Sequence, residues 1–291
     1  KSEMSLFFFL RQLFKKHFVL KTKMEIDQEF VDFMDSCPTP YQFTEVASKK
    51  LLDSGYTQLH ENEDWSKILP KKGFVIREKR ALIAFNIGGY KSSIIVGTHC
   101  DSPVLRLNPN FTKVKQSYQE VSVDLYGGGI WTTWVDRPLR LAGCVYTDDG
   151  QFHPFDSKEP VAVIPSLAIH LGNTTTQTTS ITPICSLGQS TNLLQYIAKK
   201  LNVEASSIVG HELSFVDANP PKIIGAKKQF LASARIDNLG STFSALKAFL
   251  GSEPKDTINI LVVFDYEEIG SNTSSGARGD FLPTVLHKIL H

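Results

Sequence analysis

Two stretches near the start of the chain carry apolar residues at the three- and four-residue spacing of a helix. The first covers residues 24–36, and the second covers residues 43–53 with Gly55 as its C-terminal cap. Three shorter runs, at residues 73–77, 81–86 and 93–98, are rich in apolar and β-branched residues and predict strands. Helices followed by strands indicate an α/β layer architecture.

Past residue 106 the pattern changes to an alternation of polar and apolar residues. Residues 114–126 predict one half-buried strand, and strands at 139–147, 161–164 and 213–216 follow, with a helix at 192–201. The intervening segment 127–134 predicts a turn and buried aromatic side chains. It is not a phosphate-binding loop, because no helix with a Lys-Ser/Thr pair follows its three glycines. Residues 107–228 are therefore predicted to form an inserted β-rich domain.

The α/β pattern returns at Phe230. A strand is expected to lead into Asp237, followed by a helix over residues 239–250 and a buried strand over residues 258–264. Residues 271–279 predict a loop, and residues 281–290 begin another helix. Residues 24–106 and 229–291 are thus predicted to form one discontinuous domain.

Acidic and histidine side chains follow three of these predicted strands. His99 and Asp101 come after the third strand, Asp237 after the strand near Phe230, and Glu267 with Glu268 after the strand over residues 258–264. Sites in open α/β sheets collect at the carboxyl ends of strands, and two divalent ions need a bridging carboxylate, further His or carboxylate ligands, and a base. The pattern favours a two-metal hydrolase, with Asp101 holding the second ring nitrogen of His99. The alternative is a structural histidine and solvated carboxylates at unrelated strand ends.

Composition excludes several other classes of protein. The chain has 291 residues, is 42% apolar and 21% charged, and carries a net charge of +1 without a long basic run, so it has no electrostatic footprint for nucleic acid. Four scattered cysteines without a paired motif indicate a reducing, cytoplasmic setting. No apolar run is long enough to span a membrane, and the longest near the start covers residues 6–10. Residues 1–23 are predicted to be a targeting segment or sequence upstream of a start at Met24.

Five motifs occur in an order that matches one known family. They are Thr-His-Cys-Asp-Ser-Pro-Val-Leu-Arg at 98–106, Tyr-Gly-Gly-Gly-Ile-Trp-Thr-Thr-Trp at 126–134, Leu-Ala-Ile-His-Leu at 167–171, Arg-Ile-Asp-Asn-Leu at 235–239 and Tyr-Glu-Glu-Ile-Gly-Ser at 266–271. From about Met24 to its C-terminus the chain resembles the aspartyl aminopeptidases of the M18 metallopeptidase family. The resemblance implies a zinc-exopeptidase-like α/β/α sandwich interrupted by a β-rich dimerisation domain. It also implies two Zn²⁺ ions per site, peptide substrates with an N-terminal Asp or Glu, and assembly into dimers and dodecamers.

The resemblance also implies a role for each candidate site residue. His99 would be a ligand of one zinc ion, Glu268 a ligand of the other, and Asp237 would bridge the two. Asp101 would orient His99, and Glu267 would be the general base. His170 would contribute to the neighbouring subunit's site. An interface or core histidine is an equally good interpretation of His170.

The chain departs from the family pattern in two ways. Cys100 stands where the family usually has Thr and Tyr266 where it usually has Asn, and both are expected to face away from the metal ligands. The family also has a further metal-binding Asp, a further metal-binding His and a basic specificity residue beyond the point where this sequence ends. The sandwich is therefore expected to be incomplete, with an exposed apolar sheet edge, weak metal binding and no activity. A different two-zinc exopeptidase or deacylase, or a non-catalytic assembly module, are the alternatives.

Overall fold

The computed structural model describes residues 23–171, 181–188 and 192–290. The predicted upstream segment lies outside these ranges, apart from Lys23. The α-helices of the described part are α1 (Lys23–Ser36), α2 (Pro40–Asp53), α3 (Trp65–Ile68), α4 (Leu193–Leu201), α5 (Ile236–Leu250) and α6 (Phe281–Leu290). Within the described ranges, none of them combines the length and the apolar content that crossing a bilayer requires.

The strands form three sheets. The first contains β1 (Thr57–Leu59), β2 (Lys72–Arg77), β3 (Ala81–Ile87), β4 (Ser92–His99) and β14 (Thr257–Phe264). The second contains β5 (Val104–Lys115), β6 (Tyr118–Tyr126), β7 (Pro138–Thr147), β8 (Phe152–Asp156), β9 (Ala162–Val163), β10 (Ile184–Leu187) and β11 (Ile208–Asp217). The third pairs β12 (Lys222–Ile224) with β13 (Phe230–Ala232).

Helices cover both faces of the five-stranded sheet, whose order is β1-β2-β3-β14-β4. On one face, α1, α2 and α5 pack apolar side chains such as Phe43 and Leu246 against Leu82 and Leu261. On the other face, α3 and α6 supply a second cluster that includes Phe281. Fully burying a side chain of this kind contributes about 1.5–3 kcal/mol. The predicted α/β/α sandwich is therefore confirmed.

Strand β4 lies at the edge of this sheet, where the sequence predicts a buried strand. It runs parallel to β14 and pairs with no other described strand, and Ile94, Ile95 and Val96 are 40–44% exposed. Successive side chains of a strand point to opposite faces, so apolar surface is open on both faces here. An apolar run favours burial but does not indicate which elements cover the strand. The prediction of a buried strand is therefore wrong for β4 in this chain. The exposed apolar edge that the resemblance implied is present.

The seven-stranded sheet has the order β11-β5-β6-β10-β9-β7-β8, and β11 also pairs with β7. This extra pairing closes the strands into a barrel-like ring around a core that includes Leu105, Leu139 and Phe215. Helix α4 packs Leu193 and Ile197 onto this core. The predicted β-rich character is thus present, while the domain boundaries at residues 107 and 228 stay a prediction.

A tight hairpin replaces the single strand predicted for residues 114–126. Strand β5 ends at Lys115 and β6 begins at Tyr118, and the antiparallel pair turns at Gln116 and Ser117. Both turn residues have positive φ, 47° and 66°. Two consecutive positive φ values are typical of a type I′ turn, which usually carries Asn-Gly. The prediction was wrong because neither residue gives that signal.

The sequence predicted that Asp237 follows a strand of the α/β sheet, and this prediction is wrong. The three-residue strand β13 before it pairs with β12 in a separate small sheet, and Asp237 belongs to the first turn of α5. The backbone enters this helix through Arg235, which has φ 60°. The short strand carries an apolar run of the same appearance as the others, so sequence alone could not assign its partner.

The segment 127–134 forms a turn, but its aromatic side chains are not fully buried. Trp131 and Trp134 lie in a short 3₁₀ turn, are half-buried, and have ring centroids 5.7 Å apart. They pack against the core of the seven-stranded sheet, whereas Ile130 is 74% exposed. The prediction of buried aromatics therefore overstated their burial.

Gln42 and Arg80 are two of the side chains that connect the layers around the five-stranded sheet to the seven-stranded sheet. Gln42 of α2 donates from Nε2 to the carbonyl oxygens of Gly143 (2.9 Å) and Phe155 (3.1 Å). Arg80, before β3, donates to Asp265 after β14 and to Glu212 of β11. Because these bonds are buried or partly buried, they fix the relative position of the two sheets.

Candidate active site

Three segments distant in sequence meet at one edge of the five-stranded sheet. Parallel strands β4 and β14 end side by side, with His99 opposite Phe264, and the first turn of α5 approaches the same edge. His99 Nε2 lies 3.4 Å from Asp237 Oδ1 and 3.7 Å from Glu267 Oε2. The structure thus brings together the groups that the sequence placed at separate element ends. We call His99, Asp101, Asp237, Glu267 and Glu268 the site cluster.

Asp101 is the central acceptor of the site cluster. Its side chain is 3% exposed, and its Oδ1 accepts a hydrogen bond from Glu267 N at 3.2 Å and lies 3.3 Å from His99 Nδ1. Its Oδ2 accepts from Glu268 N at 3.1 Å and from the Tyr126 hydroxyl at 2.7 Å. Burial alone would raise the pKa of Asp101, but hydrogen bonds from His99, Tyr126 and Glu268 outweigh it and lower that pKa. Asp101 is therefore an ionised carboxylate that holds three elements together.

The two ring nitrogens of His99 have different surroundings. Nδ1 faces the backbone oxygen of Asp101 at 3.2 Å as well as its carboxylate, and because both are acceptors, Nδ1 carries the proton. Nε2 then presents a lone pair to the carboxylates of Asp237 and Glu267. Burial lowers the pKa of His99, but the hydrogen bond and charge of Asp101, with the charges of Glu267 and Asp237, raise it overall. Such an Nε2 is the form of histidine that binds a metal.

Four carboxylates surround this one imidazole. The side chains of Asp237 and Glu267 are 82% and 54% exposed, so both remain accessible to a ligand. Burial, followed by the charges of Asp101, Asp237 and Glu267, raises the pKa of Glu268 to about 7 against the opposing charge of His99. The excess negative charge favours a bound cation, which would relieve the repulsion.

The atom types of the site cluster, nitrogen and carboxylate oxygen, are ligands that zinc accepts, and one distance between them fits a zinc site. Nitrogen and oxygen ligands bind Zn²⁺ at about 2.0–2.2 Å, so two ligand atoms of a tetrahedral site lie about 3.4 Å apart. The separation of His99 Nε2 and Asp237 Oδ1, 3.4 Å, has this value. In the part of the chain that is described, however, no group of three or more His, Cys, Asp or Glu side chains could hold a metal ion. Catalytic zinc usually has three protein ligands.

The remaining positions predicted from the sequence point away from the carboxylates of the site cluster. Cys100 is 2% exposed and its Sγ lies 3.3 Å from the carbonyl oxygens of Arg80 and Phe264, so it faces the core as expected. The Tyr266 ring lies under the guanidinium of Arg80 at 4.2 Å, which also agrees with the expectation. His170 is solvent-exposed in a 3₁₀ turn, and none of the hydrogen bonds or ion pairs found among the described residues joins it to the site cluster.

One contributor to the site was missed at the sequence level. Tyr126, the last residue of β6, reaches Asp101 from the seven-stranded sheet. The available signal was its position directly before three glycines, at the end of an alternating strand, but nothing in the pattern indicated its partner.

A cavity of about 330 Å³ lies beside Asp237, with Trp134 and Arg235 among its walls.

Comparison with known proteins identifies the chain's relatives. Residues 33–291 match the family model described as aminopeptidase I zinc metalloprotease (M18). The chain is 36% identical over 286 residues to a probable M18 family aminopeptidase 2 of Stutzerimonas stutzeri, covering 91% of this chain and 66% of the relative. It is also 36% identical over 305 residues to aspartyl aminopeptidase 1 of Schizosaccharomyces pombe, covering 90% and 64%. The chain thus spans about two thirds of the length of these relatives.

Solved structures agree with these matches. The mApe1 structure from Chaetomium thermophilum superposes with a TM-score of 0.85 at 31% identity, covering 91% of this chain and 67% of that one. The mApe1 dodecamer of S. cerevisiae gives a TM-score of 0.80 at 27% identity, covering 91% and 66%. The fold is therefore common to this chain and these proteins.

Proposed function

Since the chain belongs to the M18 family of zinc metalloproteases, we propose that it serves the hydrolysis of the first peptide bond of peptides with an N-terminal Asp or Glu. The observation that carries the proposal is that Asp237 and Glu267 lie within 3.4–3.7 Å of one imidazole nitrogen, Nε2 of His99. The 36% identity to an aspartyl aminopeptidase supports the preference for acidic residues.

The proposed site would hold two zinc ions, with His99 and Glu268 each serving one ion and Asp237 serving both. Bound zinc supplies a Lewis acid that polarises the scissile carbonyl and makes water more acidic. Asp101 holds the Nδ1–H of His99 and so presents Nε2 to the metal. Glu267 is proposed to accept the proton of the attacking water and donate it to the leaving amine, and its exposed carboxylate is free to do so.

The proposed assembly is a homo-oligomer in a cytoplasmic setting. His170 is exposed on the β-rich unit between Leu167 and Leu171, which are 62% and 68% exposed, and these residues are available to a second subunit. The proposed role of His170 is to stabilise the reaction intermediate in that subunit's site. The dodecameric S. cerevisiae relative supports assembly, and the four free cysteines support a reducing compartment.

Zinc binding and turnover test the division of roles. We expect His99→Ala and Glu268→Ala to lower zinc affinity, whereas Glu267→Gln keeps zinc and loses turnover on Asp- and Glu-terminated peptides by about 10²–10⁴-fold. Zinc binding is measured by titration, because weakly held zinc would be lost on dialysis, and the turnover of each variant is compared with the release of the free amino acid by wild type. Equal loss of zinc in Glu267→Gln and Glu268→Ala would contradict the assignment.

The described residues alone provide fewer than three ligands per ion, so we infer weak zinc binding and little activity for the 291-residue chain. Robust zinc-dependent release of N-terminal Asp or Glu by this chain would refute that inference. The alternative exopeptidase or deacylase is distinguished by a panel of peptide and N-acyl substrates. A pure assembly module would sediment as an oligomer and bind no zinc.

A further inference from the structure

We propose that Tyr126, a residue of the β-rich unit, is a positioning residue of the active site. Its hydroxyl orients Asp101 and thereby decides which nitrogen of His99 carries the proton. The proposal deepens the proposed function, because it concerns the readiness of His99 to bind a metal. The seven-stranded sheet then contributes to the site of its own chain, in addition to any part it has in assembly.

The contact between Tyr126 and Asp101 is the shortest of those made by this carboxylate. The hydroxyl donates to Oδ2 at 2.7 Å, and Glu268 N donates to the same oxygen at 3.1 Å. This leaves Oδ1 directed at His99 Nδ1 (3.3 Å) and at Glu267 N (3.2 Å). With both oxygens occupied, the carboxylate plane is fixed in the orientation that accepts from His99.

The ring of Tyr126 is itself held in place. Tyr126 is 6% exposed and pairs with Val104, only three residues beyond Asp101, so the β5–β6 hairpin returns it to the end of β4. The guanidinium of Arg106 lies 4.2 Å from the Tyr126 ring centroid, and the Tyr266 ring lies 6.4 Å away in an edge-on arrangement. These contacts restrict the hydroxyl to one position.

The tautomer of His99 is a balance between two sets of acceptors. Asp101 favours a proton on Nδ1, whereas Asp237 Oδ1 at 3.4 Å and Glu267 Oε2 at 3.7 Å would accept a proton from Nε2. Without the Tyr126 hydroxyl, Oδ2 keeps a single donor and the carboxylate can rotate away from Nδ1. The backbone oxygen of Asp101, 3.2 Å from Nδ1, is then the remaining acceptor on that side, so part of the His99 population shifts its proton to Nε2. A ring with Nε2–H cannot ligate a metal through that nitrogen.

The experiment compares Tyr126→Phe with Tyr118→Phe in the 291-residue chain. Tyr118 is at the opposite end of the same strand, its side chain is 43% exposed, and the substitution removes the same hydroxyl group. Protein labelled with ¹⁵N-histidine gives the tautomer of His99 from long-range ¹H–¹⁵N correlations, assigned by the signals lost in His99→Gln. Wild type and Tyr118→Phe are expected to show Nδ1–H, and Tyr126→Phe a substantial Nε2–H population.

Titration with Zn²⁺ alone, followed on the same His99 signal, provides a second readout. We expect the Zn²⁺ concentration at the titration midpoint to be about 10–100-fold higher for Tyr126→Phe than for wild type, which is the usual effect of losing a group that supports a metal ligand. Combined with Asp101→Asn, Tyr126→Phe should add no further increase, because it acts through that carboxylate.

Each outcome decides the proposal. An unchanged tautomer and a midpoint within twofold of wild type in folded Tyr126→Phe would overturn it, and so would additive effects in the double variant. A lower melting temperature without a change in tautomer would assign Tyr126 a structural role only and also overturn it. If wild type takes up no Zn²⁺, the proposed metal site fails, while the tautomer comparison still decides the role of Tyr126.

Discussion

Replacing Arg80 with methionine removes the cation that compensates a fully buried carboxylate. The Arg80 side chain is 5% exposed and Asp265 is 0% exposed, and the Arg80 guanidinium also contacts Glu212 and the Tyr266 ring. Breaking a buried ion pair from one side costs about 3–5 kcal/mol, because the remaining charge stays desolvated. Glu212 is 45% exposed and regains solvation, so it adds little. We therefore expect the free energy of unfolding of Arg80→Met to fall by about 3–5 kcal/mol.

The assay is urea unfolding followed by far-UV circular dichroism. Lys49→Met is the matched control, because Lys49 pairs with Asp53 where the side chains are 77% and 63% exposed, and its loss should cost less than about 1 kcal/mol. Adding Asp265→Asn to Arg80→Met removes the orphaned charge and should recover about 2 kcal/mol. A cost below about 1 kcal/mol for Arg80→Met, or a double variant less stable than the single, would refute the reasoning.

The free energy of unfolding of the same variants is expected to depend on pH. Burial raises the pKa of Asp265 to about 6 despite the opposing charge of Arg80, and loss of Arg80 raises this pKa further. A carboxyl whose pKa is higher in the folded than in the unfolded chain binds a proton on folding, so stability increases as pH falls through that window. The difference between Arg80→Met and Arg80→Met/Asp265→Asn should therefore shrink between pH 8 and pH 5. A constant difference would mean that Asp265 is not the source of the cost.

Three further variants test the contacts between the sheets and the hairpin turn. Gln42→Leu loses two buried hydrogen bonds to carbonyl oxygens and should cost about 1–3 kcal/mol in urea unfolding. Gly143→Ala should unfold the seven-stranded sheet at lower temperature, because Gly143 has φ 141° and a Cβ there would lie 2.0 Å from the Glu212 carbonyl oxygen. Gln116→Asn with Ser117→Gly should stabilise the chain by about 0.5–1 kcal/mol, because this pair prefers the positive φ values already present.

Each of these has a clear contrary result. Unchanged stability of Gln42→Leu would mean that its two hydrogen bonds contribute nothing to the free energy of unfolding. A fully stable Gly143→Ala would mean that β7 and β11 can separate without loss. A destabilised Asn-Gly hairpin would show that the side chains of Gln116 and Ser117 matter more than the backbone of the turn.

Periodicity predicted the helices and the central strands because each buries a continuous apolar face. Strand β3 is buried from Ala81 to Asn86 and β14 is buried over most of its length, and both show the unbroken apolar runs that coverage on two faces requires. Pairing was less predictable. The strand before Asp237 and the exposed strand β4 carry similar runs, yet one belongs to a separate small sheet and the other to an edge, because a run does not record its neighbours.

The side chains of the candidate site could be predicted from the sequence, but the hydrogen bonds that position them could not. His99, Asp237 and Glu267 stand in recognisable motifs at element ends. The hydrogen bonds that hold Asp101 come from Tyr126 and from backbone N–H groups, and these depend on a register between β5 and β6 that no local pattern encodes. Specific positioning of this kind arises only from tertiary contacts.

The pairing of β4 with β14 has a consequence for the order in which the protein is made. The two strands are joined by more than 150 residues, and β14 is the described strand that pairs with β4. During synthesis the segment that carries His99 therefore leaves the ribosome long before its partner exists, and non-local pairing of this kind is slow and exposes apolar strand edges to aggregation. The sheet edge that carries the site cluster is for this reason completed late, only after Phe264 has emerged from the ribosome.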